Sequence, residues 1–116
     1  MEPRALLDFC LKKAAEKKAT GILSMDLSKL SLICDYFLLL NANNKRHCQA
    51  LSDFLRAELA EAGEAPLRVE GYKDGSWILL DCGSVVIHIF QEEERRYYNL
   101  EHLWGDATIE HYMPEQ

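Results

Sequence analysis

The run WILLDCGSVVIHIF, residues 77–90, limits the folds open to this chain more than any other stretch. Two apolar runs flank one glycine, and β-branched residues crowd the second run. Such runs suit strands, and a glycine between them suits a tight hairpin. A two-residue turn at Cys82-Gly83 would set Asp81 opposite Ser84, Leu79 opposite Val86 and Trp77 opposite His88. Successive side chains on a strand point to opposite faces. Ile78, Leu80, Val85, Ile87 and Ile89 then form one wholly apolar face, a core. Trp77, Leu79, Asp81, Val86 and His88 form the other, mixing aromatic, aliphatic, carboxylate and imidazole groups. A lone hairpin is marginal in water, so this one needs further layers over its apolar side.

The rest of the chain supplies them. ALLDFCLKKAAEKKA, residues 5–19, repeats apolar residues at three-four spacing (Leu7, Cys10, Leu11, Ala14, Ala15), which predicts an amphipathic helix with Gly21 as its stop. ILSMDLSKL, residues 22–30, alternates and predicts a half-buried strand. ICDYFLLLNA, residues 33–42, is denser and suits a strand covered on both faces. In residues 41–63, Asn43 or Asn44 can cap a second helix. Its stripe is Cys48, Leu51, Phe54, Leu55 and Leu59, and Gly63 ends it. LRVEGY, residues 67–72, predicts a third strand, with KDG as the turn after it. Residues 91–107, charged and then aromatic, predict one or two short helical turns against the sheet edge. Residues 108–116 predict a loosely held tail. The expected fold is α/β, a single mixed β-sheet of about five strands with helices packed on it. One domain spans residues 1–107 and the tail spans residues 108–116.

Composition narrows the function. The chain has 116 residues, 48% of them hydrophobic and 28% charged, enough for one core. No apolar run approaches the ~20 residues of a membrane span, and the start lacks the pattern of a secretory signal. A cytoplasmic protein is expected. Cys10, Cys34, Cys48 and Cys82 are scattered, without metal-ligand spacing, so they read as small buried hydrophobes in a reducing compartment. The net charge is -6, from 19 acidic and 13 basic residues. That argues against extensive direct contact with nucleic acid and suits a basic protein partner, although charge alone also serves solubility. No cofactor or metal is expected.

The chemistry suggested by Asp81, Cys82, Ser84 and His88 does not assemble. Ser84 leads into a β-branched strand, so no nucleophile elbow can form. Cys82 lies beside an acid, which raises a thiol pKa. Nucleotidyl transfer needs two carboxylates on a strand to seat magnesium, and no predicted strand carries such a pair. No phosphate-binding glycine loop is present. Two readings of the Trp77 face stay open. A helix covers it and His88 is a satisfied buried histidine, or it binds a protein, since tryptophan and tyrosine anchor interfaces.

DYF at residues 35–37, EG at 70–71, the run 77–90 and RRYYNLEHLWGDA at 95–107 form one ordered set. It resembles the ribosomal silencing factor family, also called Iojap-like, from about the first helix to Ala107. The matching positions are Asp35, Tyr36, Phe37, Glu70, Gly71, Trp77, Asp81, Gly83, His88, Phe90, Tyr98, Leu100, Glu101, Leu103 and Trp104. Cys82-Gly83-Ser84 departs from an aromatic-Gly-Asp pattern, and Asn44 stands where a serine is common. Both changes keep a turn or cap. The resemblance implies a non-enzymatic, nucleotidyltransferase-like fold without catalytic carboxylates. It implies binding to large-subunit ribosomal protein fourteen, which blocks the small subunit and represses translation when nutrients are short. Organellar relatives imply an alternative, assembly of the large subunit; a nucleotide-binding or nucleotidyltransferase-like enzyme is a second. Trp77, His88, Tyr98, Leu100 and Trp104 would supply apolar contact, and Asp81 and Glu101 would meet Lys or Arg. Sheet edges and the aromatic C-terminal region also leave room for a homodimer.

Overall fold

Leu38, Leu39 and Leu40 are all shut off from solvent in a computed structural model of the chain, which describes residues 1–98 and 107–112. Consecutive strand residues face opposite ways, so a strand can bury all three only with both faces covered. The elements run α1 (Pro3–Glu16), β1 (Thr20–Asp26), β2 (Tyr36–Ala42), α2 (Lys45–Glu61), β3 (Arg68–Glu70), β4 (Trp77–Asp81), β5 (Val85–Gln91), α3 (Glu92–Tyr98) and β6 (Thr108–His111). One sheet takes the strands in the order β3-β4-β5-β2-β1-β6. β2 and β5, at its centre, pair in parallel, and the other neighbours pair antiparallel. The mixed sheet is as expected, with six strands among the described residues rather than about five.

Both long helices cover one face. Leu6, Leu7, Cys10, Leu11 and Ala14 of α1 and Cys48, Leu51, Leu55 and Leu59 of α2 pack on Leu38, Leu40, Ile78, Leu80, Ile87 and Ile89. The expected core face of the hairpin is the one the helices cover. Asn44 caps α2, its Oδ1 accepting from the amide of His47 at 2.8 Å. Phe54, expected in the α2 stripe, is only half-buried.

Four expectations change. α1 ends before Gly21. Lys18 takes the left-handed conformation at φ 63, and the amides of Lys18 and Ala19 donate to the carbonyls of Ala15 and Ala14. These two bonds satisfy carbonyls that every helix end leaves open. Gly21, at φ 53, lies instead where β1 shifts register against β2, and a Cβ there would collide with the Asn41 amide. β1 is not half-buried: Ile22, Leu23, Ser24 and Met25 are all buried, since β1 has a core on each face. Thr108–His111 is not a loose tail but a strand paired along β1, with Leu23 opposite His111 and Asp26 opposite Thr108.

The hairpin turn is also moved. Cys82 donates to the carbonyl of Val85 at 3.0 Å, so Gly83 and Ser84 are the central pair. Gly83, at φ 85, occupies the first central position, where a type II′ turn needs glycine. The partners become Trp77 with Phe90, Leu79 with His88 and Asp81 with Val86. A shift of two residues changes the partners and leaves each side chain on its expected face.

Candidate partner-binding face

The sheet face away from α1 and α2 carries a second core of Leu23, Met25, Leu27, Cys34, Leu39, Val86 and Phe90, with Phe37, Trp77, Leu79 and Ala107 packed against it. Alternation along β2, β4 and β5 puts these residues there. Gly71 seats Trp77: it sits at φ 79, and a Cβ on it would collide with the Trp77 carbonyl oxygen. The Trp77 indole stacks on Phe90 at 5.0 Å between ring centroids. Phe37 meets the His88 ring edge to face at 4.5 Å.

His88 lies at the centre of this cluster, 4% exposed. Its Nδ1 accepts a hydrogen bond from Trp77 Nε1 at 3.1 Å. Burial pushes its pKa down to about 4, so the ring is neutral at pH 7. An indole nitrogen can only donate, so Nδ1 is the bare nitrogen and the proton sits on Nε2. Nε2 is buried and has no hydrogen-bond partner. A buried donor left unpaired costs about 1–3 kcal/mol. Of the two open readings, the satisfied histidine therefore fails for one of the two ring nitrogens.

His88 also forms one wall of a cavity of about 220 Å³. Leu27, Cys34, Phe37, Leu79 and Val86 line it, with Ser31, Ile33, Arg68 and Asp81 around them. The segment between β1 and β2 builds one side. Ser28 folds back on Asp26, its amide and hydroxyl both bonding Oδ1 and holding that carboxyl below the usual range. Ser31 donates to the carbonyl of Leu27, and its own Oγ accepts from Ile33. The segment leaves Leu32 and Ile33 bare, at 107% and 89% exposure. Sequence reasoning passed over it as a short connection. Its signal was apolar density without strand or helix period, in LSKLSLIC.

Not every candidate residue joins the face freely. Asp81, expected to meet a partner's cation, is engaged within the chain: Oδ1 accepts the Gly83 amide at 2.9 Å, and Oδ2 lies 3.6 Å from Arg68 Nη2. Leu100, Glu101, Leu103 and Trp104 lie outside the described residues, as does the side chain of Tyr98. Arg95 was not singled out as a site residue, yet it ties the start of α3 to the sheet. Its guanidinium donates to the Gly21 carbonyl and to Asn41 Oδ1, the latter at 2.8 Å. Burial, with Asp81 adding to it, raises the Cys82 thiol to about 11, so it is protonated at neutral pH. Among the described residues no group of three or more His, Cys, Asp or Glu side chains is placed to hold a metal ion. No described helix is long and apolar enough to cross a membrane.

Fold and face together define the class: a one-sheet α/β protein with a helix-covered core on one side and a cavity beside bare apolar loop residues on the other. The chain matches, over residues 1–116, the family described as "Ribosomal silencing factor during starvation". It is 40% identical over 111 residues to the ribosomal silencing factor RsfS of Halalkalibacterium halodurans, covering 95% of each chain. It is 27% identical to the mouse protein named "Mitochondrial assembly of ribosomal large subunit protein 1", covering 84% of this chain and 44% of that one. A crystal structure of a Chromobacterium violaceum protein superposes with a TM-score of 0.88 at 28% identity, covering 98% of this chain and 95% of that one. The chain belongs to the ribosomal silencing factor family, RsfS.

Proposed function

We propose that this chain binds the large ribosomal subunit through large-subunit ribosomal protein fourteen and keeps the small subunit from joining. Translation is thereby repressed when nutrients are short, in the cytoplasm and without any chemical step. The observation that carries this reading is the family match along residues 1–116. The face supports it physically. A steric blocker needs only a surface that holds its partner, and the second sheet face offers a cavity beside Leu32 and Ile33. A net charge of -6 favours a basic ribosomal protein over bare RNA.

A subunit-joining assay with purified large and small subunits tests the reading. Added protein is expected to sediment with large subunits and to lower the yield of joined ribosomes in proportion to occupancy. A second reading, assistance in large-subunit assembly, is favoured by the name of the mouse relative. It would leave joining of mature subunits unchanged and would show as incomplete large subunits in cells lacking the protein. Failure to sediment with large subunits would remove both.

A further inference from the structure

We propose that the cavity between residues 27–34 and the β4–β5 hairpin is a socket for one side chain of the protein partner. That side chain has an apolar stem and a neutral oxygen acceptor at its tip, and His88 Nε2–H is the donor that meets it. The inference rests on the reading above that the partner is a ribosomal protein.

Four observations carry it. The indole of Trp77 donates to Nδ1, which leaves the proton on Nε2. That N–H has no acceptor, although buried polar groups are nearly always paired. The ring that bears it forms a wall of the cavity, whose other walls include Leu27, Cys34, Phe37 and Val86. An occupant must therefore be apolar along its length and can be polar only where it meets the imidazole. The charged groups at the cavity, Arg68 and Asp81, lie 3.6 Å apart and offset each other, which favours a neutral occupant.

Size and surroundings identify the source of that group. The cavity, about 220 Å³, exceeds the roughly 150 Å³ that accommodates a benzene ring, so an aromatic or long straight side chain fits. Leu32 and Ile33 lie bare beside it. A small free ligand would fill the cavity and leave them in water. A protein surface would fill the cavity and cover them together, as an interface core does. Trp77 is then a positioning residue: it fixes the imidazole tautomer that presents a donor.

The test uses the full chain and purified large ribosomal subunits. His88→Phe keeps a ring in place and deletes the unpartnered N–H. It is expected to unfold in urea at a concentration no lower than wild type, yet to bind large subunits about tenfold more weakly, the worth of one hydrogen bond to a buried donor. Unchanged binding, or a loss that tracks lower stability, overturns the socket. Nitrogen-15 spectra of the free protein should show His88 protonated at Nε2, and Trp77→Phe should shift that signature. Adding Trp77→Phe to His88→Phe should weaken binding no further. An unmoved signature or additive losses overturn the positioning role. If wild type does not sediment with large subunits, the ribosomal reading itself fails. Should wild type self-associate, and His88→Phe abolish that, the occupant is a second copy of this chain and the proposal is overturned.

Discussion

His88 takes up a proton in the unfolded chain near its ordinary pKa of 6.5, but in the folded chain only near 4, because burial disfavours the charged ring. Above pH 6.5 both states are neutral at this ring and its contribution to stability is complete. As pH falls from 6.5 towards 4, the unfolded chain binds a proton that the folded chain refuses, and stability drops. The loss amounts to about 3 kcal/mol over that window, at ~1.4 kcal/mol per pH unit. Urea titrations at several pH values should show His88→Phe losing that much less than wild type on acidification; parallel curves would mean the ring is not desolvated. Alternation along the strands was enough to place Trp77 and His88 on one face. Their hydrogen bond was not legible, because it depends on turn register. With Gly83 and Ser84 at the turn, Trp77 sits opposite Phe90 and reaches His88 on the diagonal, within range of a long aromatic side chain.

At the scale of elements, legibility followed burial. α2, β2 and the β4–β5 hairpin bury dense apolar patterns, and their positions were readable from those patterns. Where backbone geometry decides the outcome, the pattern was silent. The end of α1 is set by Lys18 in a conformation that glycine adopts without cost, whereas the nearest glycine, Gly21, serves the register shift in β1. Lys18→Gly should therefore stabilise the protein by about 0.5–1 kcal/mol, the usual gain from relieving a left-handed non-glycine residue; a lower urea midpoint would contradict it. β6 shows the same limit. All four of its residues are exposed, so it gave no burial pattern to detect. It is held by ladder bonds along β1 and by the amide of Tyr112 on the Ile22 carbonyl. Ending the chain at residue 107 should cost on the order of 2 kcal/mol, a few net backbone hydrogen bonds. It would also bare the β1 edge to other chains, so light scattering should rise with concentration. Unchanged stability and scattering would show that the pairing contributes nothing.

For the whole molecule, the layer arrangement was legible because apolar runs buried on two sides demand a middle layer. The loop-built wall of the cavity was not, since residues 27–34 carry no period to read. The strand order has a further consequence for how this protein is made. Tyr36 of β2 pairs with Val85 of β5, and β4 joins the sheet only through β5. During synthesis α1, β1, β2 and α2 emerge first, with the inner edge of β2 still unpaired. The central ladder must wait for residues 85–91, and loops that long are slow to close. Until then the emerging half exposes Leu38, Leu39 and Leu40, which the finished sheet hides completely. β6 arrives last and seals β1, the first strand made. A protein proposed to act on ribosomes is thus obliged to leave one almost entirely before its own centre can form.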